Sequence, residues 1–187
     1  MTDTQEDIDE KFFRTVGYAI TEWAVVEGAL FDVFYLAISS KERALALTAY
    51  HAILSFQTKL TVTTDTLSVR LRYSVGPGTQ HNFSSKPHPI FEEWKKLHAR
   101  LDRLSKKRNR LAHLPAAVIW DHGNYTIALR PNFENPKNVK SFFENDQALD
   151  TQKIHDMRYD FLKMQQAIQE FIAKLNSVLK QRPISPA

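Results

Sequence analysis

The sequence predicts an all-α protein, an antiparallel four-helix bundle carrying a small β-hairpin insertion after its third helix. Three observations predict it. Apolar residues recur every three or four positions along several long stretches, the period that gathers them on one face of an α-helix. The first two stretches are joined by almost no loop, which makes consecutive helices antiparallel neighbours. One segment, 116 to 129, abandons that period for two strand-like runs around a turn sequence.

Composition narrows the class. With 187 residues, 43% hydrophobic and 25% charged, the chain is expected to form a single domain over 1–187, large enough to bury a real core. No apolar run approaches the roughly eighteen residues of a membrane span, and the stretch from Met1 to Glu10 is acidic, unlike a signal or transit peptide. The expectation is a cytoplasmic protein with no membrane partner. The absence of cysteine excludes disulfides, iron–sulfur clusters and thiolate zinc sites. A net charge of +4 is modest, but residues 95 to 113 hold eight Lys and Arg against the single acid Asp102. Such a basic stripe is an electrostatic footprint for phosphate.

In chain order, Asp7 to about Ile38 reads as one amphipathic helix with a stripe of Phe13, Val16, Ile20, Trp23, position 27, Leu30 and Phe34, widened by Phe12, Ala19, Val26 and Val33. Position 27 is Glu27, an acid on an apolar stripe. Ser39-Ser40-Lys41-Glu42 has the spacing of a capping box, so a second helix is expected from there to about Tyr73, weakened late by threonines. Ser74 to Pro89, rich in Gly, Pro, Ser and His, reads as a surface loop. A third helix runs from Pro89 to His113 and stops because Pro115 disfavours helical geometry at Leu114. Then Ala116 to Trp120 and Tyr125 to Leu129 flank Asp121-His122-Gly123-Asn124, good hairpin chemistry. Residues 130 to 150 read as an irregular loop anchored by Phe142 and Phe143. Asp150 or Thr151 caps a last helix with a stripe from Ile154 to Val178, and a frayed tail covers 183–187.

The third helix carries the candidate site. Its stripe of Ile90, Trp94, Leu97, Leu101 and Leu104 continues through position 108 to Leu111, and position 108 is Arg108. A guanidinium stays charged at any ordinary pH, so on an apolar stripe it needs a partner or an opening to ligand. Glu27 interrupts the first helix's stripe as Arg108 interrupts this one, which makes the two a natural pair if their helices pack. Asn109 and His113, four residues apart, stack about 40° from each other on a helix, and Arg108 lies about 100° from Asn109. An asparagine can orient an imidazole, a histidine can move protons near neutrality, and an arginine can clamp a phosphate. These parts suffice to cleave RNA without a metal or cofactor, with Arg108, Asn109 and His113 as catalytic residues, Glu27 in support, and Arg100, Arg103, Lys106, Lys107 and Arg110 holding RNA phosphates. One histidine per chain is one proton shuttle, so a complete site calls for a two-fold homodimer.

Arg108-Asn109-Arg110-Leu111-Ala112-His113 resembles the Arg-x4-His signature of the HEPN superfamily, and Glu22-Trp23-Ala24-Val25-Val26-Glu27 resembles a Trp-Ala-x-x-Glu pattern in some of its bacterial branches. The resemblance implies a four-helix bundle with the motif near the end of the third helix and dimerisation across it. It implies metal-independent endoribonuclease activity, in many members within toxin–antitoxin, CRISPR or antiphage systems, with an antitoxin or other regulatory protein as partner. The hairpin at 116 to 129 and the loop at 130 to 150 lie outside it.

Beside the enzyme stand two other functional readings, a catalytically silent HEPN module and a plain helical interaction protein, and one with no function. A catalytically silent HEPN module would bind RNA, nucleotide or a partner protein through the same groove. More plainly, cations in the last turns of a helix complement its dipole with no function at all. Metal hydrolase, Ser-His-Asp hydrolase and dinucleotide-binding motifs are missing, and His51, His81, His88, His98, His122 and His155 are too scattered to read as ligands.

Overall fold

Thr4 and Asp7 close a reciprocal cap at the head of the first helix. Asp7 N–H donates to Thr4 Oγ1 at 3.2 Å, while Thr4 N–H and its hydroxyl donate to Asp7 Oδ2 at 2.9 and 2.6 Å. From this cap α1 runs over Gln5–Ile38, followed by α2 (Arg43–His51), α3 (Phe56–Arg72), β1 (Tyr73–Val75), β2 (His81–Phe83), α4 (Ile90–His113), β3 (Ala116–Asp121), β4 (Asn124–Leu129) and α5 (Thr151–Lys180). These elements come from a computed structural model, which describes residues 4–39, 41–75, 81–83, 88–121, 124–131 and 148–180. The described chain is therefore mostly helical, with two short antiparallel β-ribbons. No described helix is long and apolar enough to cross a membrane. The expectations for Phe142 and Phe143 and for the tail at 183–187 fall outside the described residues.

The chain divides into two compact units. Met1–Ala24 and Leu104–Leu162 make unit 1, and Val25–Arg103 and Lys163–Ala187 make unit 2; the divisions fall inside α1, α4 and α5.

In unit 1, α1 buries Phe12, Ala19 and Trp23, whereas Phe13 and Ile20 are 53% and 42% exposed. The buried stripe is thus turned by about one residue from the expected one, and the flank drawn through Phe13 and Ile20 faces solvent. Trp23 meets Phe161 of α5 edge-on, ring centroids 5.2 Å apart. The hairpin stands where the turn sequence puts it, with Ala116 opposite Leu129 and Asp121 opposite Asn124. Leu129 and Leu149 exchange backbone hydrogen bonds at 3.0 and 2.9 Å, so β4 also holds the segment entering α5. Asp150 then caps α5, its Oδ1 accepting from Lys153 N–H at 2.8 Å.

In unit 2 the expected second helix is two helices, so the described chain has five rather than four. The break lies at Ala52 to Ser55. There Ile53 N–H bonds Tyr50 O at 3.2 Å, tightening the end of α2, and Ser55 Oγ accepts from Thr58 N–H at 3.0 Å to start α3 anew. Ser39 is no N-cap: it has φ of 50°, the left-handed position just past α1, and Glu42 precedes α2 without a side-chain cap. In the threonine-rich half of α3 the Thr63, Thr64 and Thr66 hydroxyls donate to carbonyls one turn back at 2.7–2.8 Å, so they are satisfied within the helix. The stretch read as a loop from 74 holds β1 and β2, paired with Tyr73 opposite Phe83. Trp94 of α4 is fully buried, its indole N–H donating to Thr64 Oγ1 at 3.0 Å and its ring 5.4 Å from Phe171. Trp94 belongs to the core and offers no surface to a partner.

Candidate nucleic-acid interface

Within unit 1, Leu104 and Leu111 are buried seven residues apart and set the inward face of the end of α4. Arg108 lies about 40° from Leu104 and about 60° from Leu111, at the edge of that face, and is half-buried, while Lys106, Lys107, Asn109, Arg110 and His113 are exposed. Arg108 Nη1 donates to Asn109 Oδ1 at 3.4 Å, a long bond that stabilises little. The amide oxygen is thereby turned to the arginine. His113, whose imidazole the asparagine was expected to orient, makes no hydrogen bond or ion pair with the described residues.

Lys107 Nζ lies 2.7 Å from Asp160 Oδ2 of α5, with both side chains about half exposed. A pair so exposed to solvent contributes at most about 1 kcal/mol. Lys107 and Arg110, with Leu149, Lys153, Asp156 and Met157, line a cleft of about 230 Å³ between the end of α4 and the start of α5.

Unit 1 also holds a polar group that the spacing of residues did not reveal. Arg158 Nε donates to Glu22 Oε1 at 2.6 Å, and its guanidinium lies 4.9 Å from the Tyr18 ring. The other carboxylate oxygen, Glu22 Oε2, is buried with no hydrogen bond among the described residues. Glu22 opens the motif in which Glu27 was singled out; only the fold, which brings together residues 136 apart, shows that it has a cationic partner.

The remaining candidates belong to unit 2. Arg100 is half-buried and Arg103 exposed on α4, and Asp102 beside them accepts from Gln57 Nε2 at 2.9 Å. Glu27 Oε2 lies 4.0 Å from Lys59 Nζ, so the acid that interrupts the stripe of α1 is answered by a base on α3. Lys59 is itself 9% exposed and sits 5.3 Å from the Tyr50 ring centroid. Tyr50's phenol is pushed well above its ordinary range, first by burial and then by the charge of Glu27, with Thr63 pulling the other way. The site residues expected from the sequence therefore divide: Arg108, Asn109, His113, Lys106, Lys107 and Arg110 share unit 1, and Glu27, Arg100 and Arg103 lie in unit 2.

Among the described residues no three His, Asp or Glu side chains are grouped to hold a metal ion. Compared with protein-family models, with curated proteins and with solved structures, the chain matches none.

Proposed function

We propose that the protein is a metal-independent endoribonuclease of HEPN type that cuts single-stranded RNA at a composite site in a homodimer. The observation that carries this reading is the end of α4, where half-buried Arg108 is followed within two turns by exposed Asn109 and His113. In the proposed reaction the His113 imidazole takes the proton of a ribose 2′-hydroxyl, and the 2′-oxygen attacks the adjacent phosphorus. The 5′-oxygen leaves with a proton from the partner subunit's His113, giving a 2′,3′-cyclic phosphate and a 5′-hydroxyl. Arg108 would stabilise the charge that builds on the phosphoryl oxygens. Lys106, Lys107 and Arg110, reinforced by the field of Arg100 and Arg103, would draw the RNA in. The four-helix bundle of that family, a cytoplasmic setting, and control by an antitoxin or another regulatory protein complete the reading.

One observation favours the second reading, a catalytically silent HEPN module that binds RNA, nucleotide or a partner protein. Asn109 serves Arg108 and leaves the imidazole of His113 unoriented. An assay of purified protein on single-stranded RNA in EDTA separates the two. The enzyme reading expects cutting that stops when the ribose at the cut site is replaced by 2′-deoxyribose, and products ending in cyclic phosphate. Salt-sensitive RNA binding without cutting of any RNA supports the binding module instead.

A further inference from the structure

We infer that the outer edge of β3 is a docking strand, taking an extended, acid-ended segment of another protein as the third strand of the β3–β4 ribbon. The main chain carries the argument. Arg130 N–H donates to Pro115 O at 2.9 Å, so the residues of β3 that bond β4 are those in step with Pro115, namely Ala117, Ile119 and Asp121. The main-chain N–H and C=O groups of Ala116, Val118 and Trp120 therefore point away from β4. Among the described residues, Ala116 and Val118 have no hydrogen bond across that edge. The opposite edge shows what such a row does. There Leu129, an outward residue of β4, exchanges both main-chain bonds with Leu149.

Exposed edges are ordinarily blunted by a charge, a proline or a bulge. Residues 116 to 120, Ala-Ala-Val-Ile-Trp, contain neither charge nor proline, and their pairing with β4 runs without a bulge. The side chains point the same way. Val118 stands opposite Ile127, and Ala116 opposite Leu129, so all four share one face of the ribbon. Ile127 and Leu129 are 7% and 4% exposed, whereas Val118 is 49% exposed. That apolar face is covered at β4 and bare at β3. One further strand, with an apolar residue opposite Val118, completes it.

Charge specifies the occupant. β3 begins three residues after His113, and the last two turns of α4 expose Lys106, Lys107, Arg110 and His113 with no acid among residues 103 to 113. A strand antiparallel to β3, the more stable pairing, reaches that end with its C-terminal residues, so acids there meet opposite charge. A second copy of this chain does not suit the edge. Two β3 strands paired about a two-fold axis enter from opposite ends of a ladder roughly 20 Å long, which keeps the two His113 side chains from one phosphodiester. On this point alone the inference rests on the composite-site reading.

Amide exchange of the full chain, alone and with the peptide acetyl-Thr-Val-Thr-Val-Asp-Glu-amide, tests it. Alone, the Val118 amide should exchange much faster than that of Ala117, which faces β4, and the peptide at about 1 mM should protect it. Titration should show saturable binding that weakens several-fold when Lys-Lys replaces Asp-Glu. Val118→Pro removes the outward N–H but none of the bonds to β4, so it should weaken the peptide at least about tenfold, while Val118→Thr should retain it. The inference is overturned if the Val118 amide is already protected in the chain alone, if the peptide does not bind, or if the Lys-ended peptide or Val118→Pro binds equally well. A fall in sedimenting mass with Val118→Pro would assign the edge to a second copy and also overturn it. None of these measurements uses RNA, so a failed ribonuclease assay and a failed docking edge give different results.

Discussion

Tyr50 is 1% exposed, and among the described residues of unit 2 its hydroxyl meets the Thr63 side chain without a hydrogen bond of good geometry; a buried polar atom left in that state costs free energy. Phenylalanine keeps the ring against Phe31 and Phe34, whose centroids lie 5.4 and 5.2 Å away. Tyr50→Phe is therefore expected to stabilise by about 1 kcal/mol in urea unfolding. A loss of that size would mean the hydroxyl is bonded after all. Ser39 makes the complementary case for the backbone. At φ of 50° its Cβ is strained where glycine is not, so Ser39→Gly should also gain about 1 kcal/mol, and a loss would place the cost of the turn elsewhere. Arg108 shows how much a single residue reveals in advance. Its place on an apolar stripe told of its half-burial, because periodicity alone decides which side of a helix a residue takes. The direction in which Asn109 turns was not legible, since a side-chain torsion leaves no trace in spacing.

At the scale of elements, α1 begins on a cap that depends on charge. Hydrogen bonds from the Thr4 side chain, and then from its backbone, hold the Asp7 carboxyl below its usual 3.8. Because the folded value is the lower one, the cap's contribution is complete above 3.8 and is lost as pH falls through the folded value. Amide exchange in the first turn of α1 should therefore accelerate, relative to the rest of the helix, on going from about pH 5 to about pH 2, and Asp7→Asn should remove that dependence. First-turn protection that does not change with pH would contradict the assignment. Long amphipathic stretches and the β3–β4 turn were readable because each signal is local and repeats. The break between α2 and α3 was not, because Ser55 caps a helix inside an apolar pattern that never loses its period. β1 and β2, with three residues each, are too short to show alternation at all. Glu22 with Arg158, and Lys153 across from Lys107, are products of packing between distant segments and cannot be read from spacing.

At the scale of the whole molecule the proposed chemistry needs two copies, since one His113 supplies one proton shuttle per chain. Phe13 and Ile20 of α1 are exposed, with Gly17 and Ala24 on the same side of the helix, and an added Cβ at Gly17 would meet nothing within 4 Å. This stripe is an apolar surface available for sharing between two copies. Sedimentation at roughly 50 µM should show a dimer, and Phe13→Glu should shift it towards monomer by mass action. A parent that stays monomeric would remove the composite site. The most direct test of the central claim compares His113→Ala with the parent on single-stranded RNA in EDTA, at matched dimer content. The account predicts that cutting falls by about 10²–10⁴-fold while RNA affinity changes little, because the proton shuttle is lost and the phosphate contacts of Lys106, Lys107 and Arg110 remain. Cutting by His113→Ala at the rate of the parent would contradict it.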